Sequence, residues 1–67
     1  MHKILLNGEP RDIEEGSSVS DLLFTAQLSD RKVAVEINRE IVPKSLHAHR
    51  ILLDGDHVEI VHAMGGG

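Results

Sequence analysis

The chain closes on Gly65-Gly66-Gly67, directly after the apolar run from Val58 to Met64. Glycine has the most backbone freedom to lose on folding, so a strand through this run is expected to end near Met64. Extended backbone covers about 3.3–3.6 Å per residue, so three bare residues would carry a terminal carboxylate roughly 10 Å from the folded body. Such a group can enter a narrow site on another protein. At neutral pH it is an anion that repels nucleophiles, so exchanging one of its oxygens requires a better leaving group than oxide. The plain alternative is an idle, frayed end.

Other residue types that could do chemistry are weaker candidates. His47-x-His49 has the look of a metal pair, but no third ligand stands at a convincing spacing, and no metal is expected. Glu14-Glu15 and Asp54/Asp56 could pose as paired carboxylates for acid–base work. Both pairs fall in turn-like stretches, which fits solvated loop charges better, and Asp54 and Asp56 are expected to hold their own turn through side-chain to backbone bonds. His57 and His62 are placed on the exposed side of the last strand, with His62 close enough to the tail to touch a partner. The absence of cysteine rules out an internal thiol nucleophile, a disulfide and a Cys-based zinc site. Neither a nucleophile elbow nor a phosphate loop is present. No residue pattern in this inventory points to catalysis by the chain itself.

Bulk properties narrow the surroundings. At 67 residues the chain is one domain, whose ordering cost must be offset by a single small apolar core. Phe24 is the only aromatic residue, which argues against a surface for stacking nucleic-acid bases. A net charge of −4 disfavours phosphate backbones and anionic membranes and favours a basic partner surface. No apolar run approaches the ~20 residues of a membrane span and no signal-peptide pattern opens the chain, so a soluble cytoplasmic protein is expected.

The elements that must position the tail can be read from periodicity. His2 to Asn7 is a first strand with Ile4 and Leu6 on one face and Leu5 on the other. Asn7-Gly8 is a hairpin signal, and Pro10 suggests a somewhat longer turn before a short return over Arg11–Glu14 with Ile13 inward. Ser18 and Asp21 form a capping box with a shortened acid, Ser17 with Ser20 being the poorer competitor. Val19, Leu22, Leu23 and Ala26 then recur at helical spacing, with Phe24 at the edge of that face and an end near Leu28. Lys32 to Asn38 alternates, with Val33, Val35 and Ile37 to one side. Ile41-Val42 is a short edge strand ended by Pro43, and a single helical turn fits within Ser45–Arg50. After the turn Asp54-Gly55-Asp56, the last strand runs from about His57 to Ala63, with Val58 and Ile60 inward and Glu59 and Val61 outward. One helix packed across one apolar sheet face is an α+β architecture: a mixed sheet of four to five strands under one main helix.

This order, with its glycine ending, resembles the β-grasp, ubiquitin-like fold. More closely, nearly the whole chain is similar to the ThiS family, the sulfur carriers of thiamine biosynthesis. The residues that carry the likeness are Val35-Glu-Ile-Asn-Arg-Glu-Ile-Val-Pro43, Leu53-Asp-Gly-Asp56 and Val58-Glu-Ile-Val61 leading to the terminal glycines, with Val19, Leu22 and Leu23 in the helix. A third glycine is a mild departure, since Gly-Gly would suffice. The resemblance implies a β-grasp domain over residues 1–64 and a loose glycine tail over 65–67. It implies that the first and last strands lie centrally and parallel, which would set Leu5 beside Val61, near Ala34, on the face away from the helix. Leu5, Val61 and Met64 are therefore candidate docking residues.

The chemistry implied by the resemblance centres on Gly67. A ThiF-type enzyme of the ubiquitin-activating kind uses ATP and magnesium to adenylate it, a persulfide donor converts it to a thiocarboxylate, and thiazole synthase of the ThiG type accepts the sulfur. Gly65 and Gly66 would be recognised as the slim approach to that atom, and no cofactor would be bound by the chain itself. The small subunit of molybdopterin synthase shares this fold and chemistry, but such chains tend to be longer, with prolines before the final glycines. A ubiquitin-like modifier or a plain binding module is the alternative of a different class. A monomer that docks transiently is expected.

Overall fold

Two tight turns shape the sheet, and both rest on residues held in a left-handed backbone. In the computed structural model, which describes residues 1–29 and 31–62, Asn7 and Gly8 have φ of 51° and 86°. Positive φ at both central residues is the signature of the type I′ turn, whose twist matches that of the strands it joins. It links β1 (His2–Leu6) to β2 (Glu9–Ile13). Asn38 and Arg39, at φ 52° and 72°, do the same between β3 (Val33–Ile37) and β4 (Glu40–Val42). The first turn is thus shorter than Pro10 suggested, because Pro10 lies inside β2, opposite Leu5. The Leu6–Glu9 pair closes the turn, so in the alternating antiparallel pattern the next pair makes no ladder bond. Pro10 therefore lacks only an N–H that would face out from the edge of the sheet.

The helix α1 (Val19–Thr25) starts where the capping box put it: Ser18 Oγ accepts from the Asp21 N–H at 3.1 Å, and Asp21 Oδ2 accepts from the Ser18 N–H at 2.9 Å. It stops three residues before Leu28. Gln27 turns left-handed at φ 61°, its N–H donates to Phe24 O at 3.0 Å, and the Leu28 N–H reaches back to Leu23 O at 2.7 Å. This pair of bonds is a Schellman ending, with glutamine at the position usually taken by glycine. Leu28 then folds onto the core beside Leu23. Phe24 does not cover the helix edge; it is 74% exposed.

The last strand, β5 (His57–His62), completes a five-stranded sheet in the order β2-β1-β5-β3-β4. β1 and β5 are central and parallel, as expected, and β3 runs antiparallel to β5. Of the inward residues foreseen from alternation, Ile4, Ile13, Val35, Ile37, Val58 and Ile60 meet Val19, Leu22 and Leu23 of α1 in one core, while Leu6 and Val33 are only partly buried against it. Leu52 belongs to it too, fully buried between exposed Ile51 and Leu53. Its segment is tied to the helix start by Leu52 N–H to Ser17 O at 2.8 Å and Val19 N–H to Arg50 O at 3.0 Å. A 3₁₀ turn at Lys44–Leu46 follows β4. Among the described residues no helix is long and apolar enough to cross a membrane.

β5 shares only two ladder pairs with β1, Leu5–His57 and Leu6–Val58. The turn asparagines supply what the ladder lacks. Asn7 donates its N–H to Val58 O at 2.8 Å and accepts from the Ile60 N–H through Oδ1 at 2.8 Å. From the other side, Asn38 donates its N–H to His57 O at 2.8 Å and accepts from the His57 N–H through Oδ1 at 3.0 Å. The Asn38 amide also donates to Asp56 Oδ1 at 3.0 Å. Asp56 is not a solvated loop charge: it is buried, bonded through Oδ2 to the Leu53 N–H at 2.9 Å and facing the Arg50 guanidinium at 3.5 Å. It does hold its own turn. Asp54 does not; its Oδ1 accepts from the Lys3 N–H at 2.7 Å and so fixes the turn to β1. We expect Asn38→Ala to cost about 1–3 kcal/mol, since it removes two bonds to β5 and its approach. Denaturant unfolding should show a lower midpoint at unchanged slope.

Candidate functional site

β5 carries the chain toward its glycine end, and its side chains divide by face. Val58 and Ile60 point to α1, whereas Glu59 and Val61 point away. Its final ladder pairs, Ala34–Val61 and Val33–His62, are with β3 alone, since β1 pairing has stopped at Val58. His57 lies on the outer face as expected. His62 does not: it shares the parity of Val58 and Ile60 and stands on the helix side, exposed beyond the reach of the core. Met64, Gly65, Gly66 and Gly67 fall outside the described residues.

The outer face is organised in rows set by the ladder register. The row at the start of β5 is Pro10, Leu5 and His57. The middle row is Glu59, Glu36 and Ile41, and the row nearest the end of β5 is Val61 with Ala34. Leu5 and Val61 therefore do not sit side by side. In the parallel register Leu5 pairs with His57, four residues before Val61, which is roughly 13 Å along the strand. The Leu5 N–H to Asp56 O bond at 2.9 Å fixes that offset. Alternation assigned both residues to the correct face but carried no information on how two strands distant in sequence align.

What surrounds Val61 is instead Ala34 in register and, one row away, Ile41. Val61 is 56% and Ile41 71% exposed, high for branched aliphatic residues. Between them Glu36 and Glu59 face each other across the antiparallel pair, with Cβ atoms about 4.5–5.5 Å apart. Two like charges at that separation destabilise the free domain. A cation placed between them would remove the repulsion, so the face is suited to a surface that offers lysine or arginine amid apolar residues. Ile41, Glu36 and Glu59 were not singled out by sequence reasoning, although the outward parity of the two glutamates was the available signal.

The remaining candidates serve the fold. His47 is buried, and its Nε2 donates to Val42 O at 3.1 Å while its own carbonyl accepts from the Ser20 N–H at 3.0 Å. It joins the end of β4 to the helix start, whereas His49 is exposed. Among the described residues no three potential metal ligands gather. Glu14 and Glu15 are exposed; the Glu14 carbonyl accepts from the Ser17 hydroxyl at 2.7 Å, and Glu15 meets His2 at 3.5 Å. They do not converge on a common site.

A mixed five-stranded sheet with parallel outer-sequence strands at its centre, one helix across it and a glycine run after the last strand defines a ubiquitin-like β-grasp protein. The crystal structure of a thiamine biosynthesis protein (ThiS) from Geobacter metallireducens superposes with a TM-score of 0.84 at 31% identity, covering 97% of this chain and 99% of that one. The sequence model of the ThiS family matches residues 4–67. The chain is 40% identical over 65 residues to the sulfur carrier protein ThiS of Bacillus subtilis, covering 92% of this chain and 96% of that protein. It is also 48% identical over 65 residues to a thiazole synthase of Paramagnetospirillum magneticum, covering 97% of this chain but 20% of that protein. The chain spans about one fifth of the length of the thiazole synthases it matches. It belongs to the ThiS family.

The facing glutamates yield a stability prediction that needs no partner. Glu36→Gln should raise the unfolding free energy by about 0.2–1 kcal/mol. The gain should shrink in high salt, as screening weakens the repulsion it removes.

Proposed function

We propose that this chain is a cytoplasmic sulfur carrier in thiamine biosynthesis, a protein cosubstrate that is itself no enzyme. The observation that carries the reading is a family match running from Ile4 through Gly67, so that the domain and the three glycines are matched together. The near-complete mutual coverage with a sulfur carrier of similar size supports it.

In this reading a ThiF-type enzyme uses ATP and magnesium to join the Gly67 carboxylate to AMP, releasing pyrophosphate. The terminal sulfur of a persulfide attacks the acyl carbon and AMP leaves. A thiol then takes up the persulfide's inner sulfur as a disulfide, freeing the thiocarboxylate. Thiazole synthase draws sulfur from that thiocarboxylate, and the carboxylate returns. The chain supplies no thiol to any of these steps, since it contains no cysteine. Glycine at 67 leaves the acyl carbon uncrowded, and Gly65 and Gly66 keep the approach narrow enough to enter two different enzymes. The outer face around Val61, with Leu5 at its far row, is the docking surface, and Met64, outside the described residues, is a further candidate contact by its place in the sequence; Glu36 and Glu59 choose a partner with a basic centre.

The decisive measurement is intact mass after incubation with ATP, the adenylating enzyme and a persulfide donor. Exchange of one oxygen for sulfur at the C-terminal peptide is the expected result. A heavier conjugate to another protein would indicate a modifier, and an unchanged mass would defeat the carrier reading. Gly67→Val should fold normally, with unchanged thermal unfolding, and fail to form the adenylate. Val61→Arg should leave the fold intact, since Val61 is exposed, and weaken the complex with the adenylating enzyme about tenfold or more in a binding titration.

A further inference from the structure

The helix side of the sheet carries a feature of opposite charge. A cleft of about 400 Å³ lies between α1, the start of β3 and the 3₁₀ turn, lined by Ser20, Leu23, Ser29, Arg31, Lys32, Val33, Lys44 and His47. That volume is in the range of small-molecule sites, roughly 300–1,000 Å³. Three of the chain's seven Lys and Arg side chains converge here, although the chain as a whole carries −4. Among the described residues no carboxylate lines the cleft, and none forms an ion pair with Arg31, Lys32 or Lys44. Concentrating cations that form no ion pair among the described residues, against the sign of the whole molecule, leaves a local attraction for anions.

We infer that this cleft binds a phosphate ester of a small organic molecule. A phosphate group brings up to two negative charges and three acceptor oxygens, matched by three cations and the hydroxyls of Ser20 and Ser29. A carboxylate, with one charge and two oxygens, would leave much of that donor set unused. Leu23 and Val33 give the cleft an apolar floor against which the organic part of an ester rests. The cations come from separate segments, the approach to β3 and the turn after β4, so the fold itself assembles the set. Lys44 stands on the same turn whose His47 is fixed to Val42 and to the start of α1, which holds the two walls in register. Val33 is also the ladder partner of His62, so the cleft opens beside the end of β5. The inference stands on the cleft alone and does not depend on the sulfur-carrier reading.

The test is an amide NMR titration of the ¹⁵N-labelled protein at low ionic strength with ribose 5-phosphate, inorganic phosphate, acetate and a glutamate-rich peptide. The expected result is saturable shifts at Ser20, Ser29, Lys32, Val33 and Lys44, tightest for ribose 5-phosphate and absent for acetate. Arg31→Gln combined with Lys44→Gln should weaken the ester about tenfold or more, with the remaining spectrum unchanged because both residues are exposed. Absence of saturable shifts would overturn the proposal, as would an equal response to acetate. Tighter binding of the acidic peptide than of the ester would also overturn it, reassigning the cleft to a protein partner.

Discussion

The position of the last strand between the first and the third is the constraint on which the molecule rests. β5 contributes Val58 and Ile60 to the core and joins two hairpins that otherwise share no edge. Its parallel pairing with β1 is only two residues long. The Asn7 side chain extends the pairing on that side, and Asn38 lengthens the five-pair ladder to β3 on the other, each bonding a backbone N–H of β5 from a turn. A left-handed turn residue and a hydrogen-bonding amide are both required at these places, and asparagine is the residue that offers both. The buried Asp56 follows from the same arrangement. A carboxylate removed from water is costly unless its oxygens are satisfied, and Asn38, Arg50 and the Leu53 backbone provide those partners.

Once the sheet is in place, two local patches of opposite charge form, one on the outer face and one beside the helix. The outer face sets Glu36 against Glu59 with Val61, Ala34 and Ile41 around them. The helix side gathers Arg31, Lys32 and Lys44 about one cleft. A net charge of −4 describes neither patch, and the preference for a basic partner that it suggests is met by the facing glutamates of the outer face. The separation also gives a partner on the sheet face and a ligand on the helix side room to bind together without sharing a residue among those described.

Local signals were legible in the sequence wherever the physics is local. The Ser18–Asp21 capping box, the Asn7-Gly8 turn and the alternation of Val33, Val35 and Ile37 are decided within a few residues, and each appears in the structure. The helix ends before Leu28, short of the Ser29-Asp30 break, because Gln27 takes a left-handed backbone that nothing in its side chain demands. Leu52 stands in the three-residue apolar run Ile51-Leu52-Leu53, too short to show a period, and its burial is decided by tertiary packing. The burial of Asp56 and His47 depends on partners eighteen and five residues away, in loops whose meeting no periodicity reveals. The candidate docking face was half legible. Parity told which residues face outward, and only the register, set by long-range pairing, told that Val61 neighbours Ala34 rather than Leu5.

The central place of β5 has a mechanical consequence. A partner that grips the chain beyond His62 and draws it inward applies force along the strand, not across it. Bonds to β3 on one side, and to Asn7 and β1 on the other, are then sheared together instead of being unzipped in turn. An end strand at the margin of the sheet would peel away under the same tension. Placed in the middle of the sheet, β5 is held so that tension on the chain after His62 loads both flanking ladders at once.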